Sequence, residues 1–331
     1  MDAETKKSAL AAIERIDGGI KTLKSLLTQD QKSNQPTQLI SASDMDPTQS
    51  PKSGVVPKKG LRFYANSLSA AELGPTPDFQ DGNWPEAVDP KMIISSAGEA
   101  EKQFRALQIV NLIRLPLQGK TILDCGCGEG YNANEMANSA VKVVGYDPKQ
   151  DPHWAGRSKE NLILTSNSTT VADHSKYDVI VLYDVLDHLV GEDPTALMKW
   201  LAGMLSDGGK IFVRTHPWTG RTGGHLYESA NKAFLHLVLT PDEAIKAGLK
   251  MSEPNLKVVR PMAAYEQWFK DAGLEVDDKR VKTTPVEDFF SGAIMDRIIK
   301  VNWSGGIDGD TARKILSNQF VDYQLVKSKR A

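Results

Sequence analysis

Short apolar runs alternate with helical patterns from about residue 97 onward, and this alternation constrains the fold more than any other feature of the sequence. Amphipathic helices are predicted where apolar residues recur every three or four positions, as in PTALMKWLAGML at 194–205. Seven runs have the length of a strand: TILDC, VKVVGYD, NLILTS, YDVIVLYD, GKIFVRT, LEVDDKRV and FVDYQLVKS. Alternation of this kind places helices on both faces of a mostly parallel sheet. The sequence therefore predicts a doubly wound α/β fold with seven strands.

Three segments of different character follow one another along the chain. Residues 1–28 have apolar residues at helical spacing and predict an N-terminal helix. Residues 29–95 begin with few large apolar residues and contain many prolines, which predicts a linker followed by an irregular arm. Residues 96–331 contain all the predicted strands, so we expect them to form the α/β domain.

Composition sets wide limits on function. The 331 residues carry a formal net charge of −2 with both signs interspersed, so no basic excess indicates a nucleic-acid partner. No apolar run approaches the roughly 20 residues that span a bilayer, and the first residues lack a signal-peptide pattern. Cys125 and Cys127 are too close in sequence for an unstrained disulfide. We therefore expect reduced thiols, a cytoplasmic location and no membrane association.

The segment LDCGCGEG, residues 123–130, lies where the first strand ends and a helix begins, at the sheet edge where such folds bind ligands. Two cysteines do not complete a zinc site, so no metal is predicted, and a redox pair normally has two intervening residues. A dinucleotide loop has the spacing G-x-G-x-x-G, whereas this one is G-x-G-x-G with Asp124 two positions ahead. A carboxylate there would repel a pyrophosphate and suits a ligand with an ammonium group. A glycine turn without a ligand is the remaining alternative.

This segment resembles motif I of the class I S-adenosylmethionine-dependent methyltransferases, which have a Rossmann-like fold. In that family the glycine loop passes under the amino-acid end of the cofactor. The resemblance extends over roughly residues 97 to 280, with the final strand included. It implies that S-adenosylmethionine is the cofactor. It also implies that five loop residues bind it: Asp124, Cys125, Gly126, Gly128 and Gly130.

The resemblance implies cofactor contacts at the ends of three further strands. Asp147 ends the second strand, where a carboxylate accepts hydrogen bonds from ribose hydroxyls; as a residue before Pro148 it could instead serve only the turn. Asn167 follows the third strand, where the family often has an acidic residue near the adenine, and a simple polar loop is the alternative. Tyr183 and Asp184 end the fourth strand, which in the family faces cofactor and substrate.

Three histidines are predicted to serve the methyl acceptor. His216 directly follows the fifth strand, and His225 belongs to the same polar loop. His188, in the LDHL segment, either acts as a base or packs beside the cofactor. An acceptor that is already deprotonated would need alignment alone.

Two absences narrow the acceptor. The fourth strand is followed neither by an NPPY-like stretch nor by a PC turn, which disfavours the nucleic-acid enzymes that methylate amino groups or cytosine C5. The acceptor atom is therefore predicted to be an oxygen or nitrogen. It can belong to a small molecule, to a nucleotide or nucleic acid, or to a protein.

A second interpretation keeps the fold but not the catalysis. The N-terminal helix, the arm and a long insertion at 285–319 add surface that a methyltransferase does not need. On this interpretation the chain is an assembly or partner-binding subunit with little or no activity. The N-terminal helix would bind a protein partner or mediate self-association, or the arm would cover the pocket. The intact set of Asp124, glycine loop and Asp147 favours an active methyltransferase.

Overall fold

The structure is a computed structural model that describes residues 70–89, 98–174, 176–189, 194–249, 262–303 and 307–329. The helix predicted over 1–28 and most of the arm predicted over 29–95 lie outside these ranges, and the boundary at 95/96 stays a prediction. In the described part of the arm, the short helix α1 (Ala70–Leu73) is followed by irregular backbone up to residue 89. No helix in the described part of the chain has both the length and the apolar character needed to cross a membrane.

Seven strands form one sheet in the order β3-β2-β1-β4-β5-β7-β6, which confirms the predicted architecture. The strands are β1 (Thr121–Cys125), β2 (Lys142–Tyr146), β3 (Leu162–Thr165), β4 (Tyr177–Tyr183), β5 (Leu205–Thr215), β6 (Leu274–Thr283) and β7 (Asn318–Lys327). The first five are parallel, whereas β7 runs antiparallel to both β5 and β6. The chain reverses its direction of travel across the sheet between β1 and β4. The carboxyl ends of these two strands therefore flank the crevice where such sheets bind ligands.

Helices connect the strands, and one of them lies within the helix predicted at 194–205. They are α2 (Glu99–Ile113), α3 (Tyr131–Met136), α4 (Ser168–Asp173), α5 (Pro194–Met204), α6 (Leu235–Val238), α7 (Pro241–Lys246), α8 (Met262–Asp271), α9 (Ala293–Asn302) and α10 (Gly309–Leu316). One 3₁₀ turn, Leu186–His188, follows β4 closely and carries two residues of the site described below.

The buried face of α2 differs from the one that its apolar residues suggest. Phe104 and Leu107 stand in the apolar pattern of this helix, yet they are 60% and 42% exposed. The helix instead buries Ala106, Ile109 and Ile113, which follow one another at three- and four-residue steps. Phe104 lies about 200° around the helix from Ala106, because each residue advances by about 100°. It therefore cannot share the buried stripe.

Two of the hydrophobic cores flank the sheet, and a third lies away from it. We call the third one the cap; it is formed by residues 74–89, 217–249, 284–303 and 307–317. Its centre is aromatic: Phe290 makes edge contacts with both Trp84 and Phe234, and the Trp84 indole donates a hydrogen bond to the Ala233 carbonyl at 2.9 Å. The insertion after β6, expected to add free surface, instead supplies buried residues to this core, among them Trp303.

Candidate active site

The glycine loop joins β1 to α3 with three residues in the left-handed region. Gly126, Gly128 and Gly130 have φ angles of 82°, 50° and 82°. A Cβ at Gly126 would lie 2.4 Å from a methyl carbon of Val185, so a side chain cannot be accommodated there without movement. The backbone N–H groups of Gly126 and Cys127 both donate to the Tyr146 carbonyl, at 2.7 and 3.0 Å. The loop is therefore held against the end of β2 with its glycines forming an open cradle.

Asp147 lies beside this cradle at the end of β2. Its Oδ2 accepts a hydrogen bond from the Gly128 N–H at 3.1 Å, and its Oδ1 accepts one from the Lys149 N–H at 3.0 Å. One oxygen thus serves the cradle and the other serves the local turn. Both interpretations of Asp147 have a contact in their favour, and its ribose role stays a prediction.

Asp124 is 1% exposed, and its Oδ2 has no hydrogen-bond partner in the described part of the structure. The pKa of this carboxyl is raised to about 7, mainly by burial. A hydrogen bond from the Ala133 backbone N–H opposes this shift, and the Asp147 charge adds to it. An unpaired buried carboxylate beside an open glycine cradle suits a ligand that carries positive charge. These features fit the ammonium-bearing end of S-adenosylmethionine.

The polar residue expected near the adenine, Asn167, caps α4. Its side-chain oxygen accepts a hydrogen bond from the Thr169 N–H at 2.9 Å. The side-chain NH₂ group of Asn167 is left to contact a ligand. This group is a hydrogen-bond donor, so it suits an accepting ring nitrogen of adenine better than the adenine amino group. Its role in binding adenine stays a prediction.

Tyr183 and Asp184 lie together at the end of β4, beside a cavity of about 240 Å³ that also includes Cys127 in its lining. Asp184 has a φ of 53°, and its Oδ1 is buried without a hydrogen-bond partner in the described structure. Burial raises the pKa of Asp184 to about 8; Asp187 adds to the shift and Arg214 opposes it. Arg214 itself forms a two-pronged ion pair with Asp322 of β7, at 2.6 and 2.7 Å.

All three predicted histidines meet around one buried carboxylate. We call the group Asp187, His188, His216 and His225 the Asp187 cluster. Asp187 Oδ2 lies 3.3 Å from His216 Nδ1, 3.4 Å from His188 Nε2 and 3.8 Å from His225 Nε2. The Nε2 atoms of His216 and His225 are 2.9 Å apart, and the rings of His188 and His225 stack at 5.0 Å.

Exposure differs sharply within the cluster. His216 and His225 are each 5% exposed, and Asp187 is fully buried, whereas the His188 side chain is 53% exposed. Burial lowers the pKa of both His216 and His225 to about 3, so these rings are neutral at physiological pH. Burial also raises the pKa of Asp187, whereas a charge on His188 lowers it. His188 is thus the solvent-exposed member of the cluster.

The sequence did not single out Asp187 or the pairing of Arg214 with Asp322. Asp187 stands inside the quoted LDHL segment, where attention went to the histidine alone. A carboxylate next to a histidine at a strand end is the signal that would have found it. His236 is buried, with its Nε2 2.7 Å from the Trp218 carbonyl oxygen.

Comparisons with known proteins agree with this geometry. The family described as "Methyltransferase domain" matches residues 100–279, more than half of the chain. The ubiquinone biosynthesis O-methyltransferase of Sodalis glossinidius is 30% identical over 152 residues, which are 39% of this chain and 60% of that protein. The protein of the same name from Aeromonas salmonicida is 26% identical over 202 residues, 56% of this chain and 79% of that one. The chain thus spans less than two thirds of the Sodalis relative and more than that of the Aeromonas relative.

Solved structures resemble the chain more loosely. The magnesium protoporphyrin IX methyltransferase of Synechocystis PCC 6803, with bound SAH, has a TM-score of 0.40 and 15% identity and covers 69% of this chain and 84% of its own. An S-adenosylmethionine-dependent methyltransferase from Mesorhizobium loti also has a TM-score of 0.40, with 16% identity, covering 70% of this chain and 99% of its own.

The glycine cradle, the buried carboxylate and the sheet order define a class I methyltransferase domain. With the family match over residues 100–279, the chain belongs to the S-adenosylmethionine-dependent methyltransferases, and its cofactor is S-adenosylmethionine.

Proposed function

We propose that the chain methylates an oxygen of a small-molecule acceptor, with a nitrogen acceptor as the second choice. The observation that carries the proposal is the Asp187 cluster at the carboxyl ends of β4 and β5, on the same sheet edge as the glycine loop. Two relatives are named O-methyltransferases of ubiquinone biosynthesis, which supports an oxygen of a small molecule.

Methylation of a hydroxyl requires the loss of its proton, and a positioned side chain accelerates this step. When bound, S-adenosylmethionine supplies an electrophilic methyl group. The glycine loop, Asp124 and Asp147 hold the cofactor, and the acceptor contacts the exposed side of His188. The acceptor's proton is then held between His188 Nε2 and Asp187 Oδ2, which lie 3.4 Å apart.

Exposure within the Asp187 cluster supports contact with an acceptor at His188. The His188 side chain is 53% exposed, whereas His216 and His225 are buried. A small hydroxyl-bearing group can contact the exposed His188 ring. The buried free thiols of Cys125 and Cys127 support a cytoplasmic location. We also propose that residues 1–28 mediate self-association of the chain.

The test is a methyl-transfer assay that measures S-adenosylhomocysteine formation and locates the added methyl by mass spectrometry. The assay compares small hydroxyl compounds, small amines, RNA, DNA and unfolded protein. We expect turnover on small hydroxyl compounds, and a loss of about 10²–10⁴-fold in His188→Ala with cofactor affinity unchanged.

The matched control is His153→Ala, because His153 is also a half-exposed histidine beside a carboxylate, 2.7 Å from Asp151, but lies outside the cluster. It should keep wild-type turnover. Methyl transfer to RNA, DNA or protein in preference to every small molecule would contradict the proposal.

A further inference from the structure

The Asp187 cluster has the donor set of a metal site. We propose that it binds one divalent transition-metal ion, with Asp187 Oδ2, His188 Nε2 and His225 Nε2 as the protein ligands. This assignment differs from the expectation of no metal, because the histidines that supply its ligands come together only in the folded chain.

The spacing of the three donor atoms carries the proposal. Asp187 Oδ2 lies 3.4 Å from His188 Nε2 and 3.8 Å from His225 Nε2, and all three atoms lie within 4.8 Å of one another. Bonds of about 2.1 Å from a tetrahedral ion to nitrogen and oxygen place its donors roughly 3.4 Å apart. The observed separations are therefore close to those that an ion at their centre would impose.

A second observation is independent of that spacing. The Asp187 side chain is fully buried, and neither of its oxygens has a hydrogen-bond partner in the described part of the structure. A buried carboxylate is normally paired, hydrogen-bonded or bound to a metal, because its desolvation is otherwise uncompensated. Three imidazole nitrogens lie within 3.8 Å of Asp187 Oδ2, so a metal cation bound among these side chains would satisfy this oxygen.

The chemistry of the donors selects the kind of ion. Two imidazole nitrogens and one carboxylate oxygen suit Zn²⁺, Fe²⁺ or Co²⁺, whereas Mg²⁺ and Ca²⁺ prefer oxygen donors alone. Three protein ligands leave coordination positions open, as in catalytic rather than structural sites.

His216 is a positioning residue in this arrangement. Its Nδ1 lies 3.3 Å from Asp187 Oδ2, so it contacts the ligating carboxylate. Its 2.9 Å contact with His225 Nε2 would open when that nitrogen binds the ion. Outer partners of this kind orient metal ligands and tune affinity. The ion's role in methyl transfer rests on the proposed function: it would bind the acceptor oxygen and stabilise its anion, and the hydroxyl proton would pass to solvent water instead of to His188. Metal binding itself does not depend on that function.

The test measures metal binding by the full chain without cofactor or acceptor. Chelator-treated protein is equilibrated with Zn²⁺, and bound metal is counted by mass spectrometry; affinity comes from competition with a chromophoric chelator. Co²⁺ substitution gives a visible spectrum that reports nitrogen and oxygen ligands at low coordination number. His188→Ala is the main variant because its exposed side chain can be removed without opening the core, and His153→Ala is the matched control.

We expect one Zn²⁺ per chain in the wild type and in His153→Ala. His216→Ala should weaken binding about 10–100-fold, and His188→Ala should weaken it at least as much and alter the Co²⁺ spectrum. The proposal is overturned if the wild type binds no Zn²⁺, if His188→Ala binds it with wild-type affinity, or if Mg²⁺ displaces Zn²⁺ at equal concentration. A chain that binds Zn²⁺ as expected but methylates no small molecule would contradict only the proposed function.

Discussion

The Asp147 carboxylate accepts hydrogen bonds from two backbone N–H groups, one in the glycine loop and one in its own turn. We expect Asp147→Ala to weaken S-adenosylmethionine binding by roughly tenfold or more, because a charge-assisted hydrogen bond contributes about 1.5–3 kcal/mol. Titration calorimetry measures the change. Asp147→Asn keeps an acceptor oxygen for the turn and loses the charge, so it separates the two roles. An unchanged Kd in Asp147→Ala would assign the residue to the turn alone.

The Asp124 carboxyl gives the cofactor site a pH dependence. Its pKa is raised to about 7, so it is partly protonated at neutral pH in the cofactor-free protein. A ligand ammonium favours the ionised form, so binding releases a proton and affinity rises with pH between about 6 and 7.5. Asp124→Asn has the same shape without a titrating proton and should flatten this rise. Equal pH slopes for the wild type and Asp124→Asn would refute the prediction.

At the residue scale, the sequence singled out the three histidines of the Asp187 cluster but not their arrangement. His188 and His225 lie in different loops, and a one-dimensional pattern contains no distance between them. Their meeting depends on the parallel pairing of β4 with β5, which brings the two loops to one edge of the sheet. Asp187 escaped notice because its importance comes from burial, and burial is a property of the folded chain.

The turn from β1 into α3 depends on the close approach of Gly126 to Val185. We expect Gly126→Ala to lower the free energy of unfolding by about 2–5 kcal/mol, combining the left-handed backbone cost of a side chain with overpacking. Adding Val185→Ala should restore the part of the free energy of unfolding that overpacking removes. Urea denaturation of the single and double variants measures this recovery. Gly82→Ala is the control, because a Cβ there meets no atom within 4 Å. If the two substitutions lower the free energy of unfolding additively, contact between a side chain at position 126 and Val185 is not the cause of the destabilisation.

The cap depends on aromatic packing that α2 does not share. Phe290→Ala should reduce the free energy of unfolding by about 3–5 kcal/mol, because it empties a fully buried site between Trp84 and Phe234. Phe104→Ala, on the exposed face of α2, should stay within about 0.5 kcal/mol of wild type. Thermal and denaturant unfolding compare the two. Equal losses would mean that Phe104 is covered in solution.

At the element scale, most helices and strands could be predicted because each has a periodicity of its own. Residues 194–205, for example, have the helical spacing that α5 then adopts. The orientation of α2 could not be predicted in this way, because Phe104 and Ile109 are equally apolar and only the neighbouring elements decide which one is covered. The cap was missed for a related reason: its core is assembled from three segments that are far apart in sequence.

For the whole molecule, the sequence predicts that the N-terminal segment is separate from the cofactor site. Deletion of residues 1–59 should leave the Kd for S-adenosylmethionine unchanged, because the deletion ends well before α2. Calorimetry measures cofactor binding, and light scattering compares the oligomeric state of the two proteins. A smaller number of subunits in the truncated protein than in the full chain would identify the segment as an association element. Loss of cofactor affinity would instead show that the segment covers the pocket.

The position of β7 between β5 and β6 determines when the sheet can be completed during synthesis. In the sheet order, β6 pairs only with β7. Arg214 at the end of β5 pairs with Asp322, which lies 108 residues later in the sequence. At about 5–20 residues per second, the ribosome needs on the order of 5–20 s to supply that partner. Until β7 is synthesised, the edge of β5 that it pairs with in the finished sheet has no partner strand in the sheet order. An unpaired strand edge can pair with another chain, so β7 also serves to cover this edge.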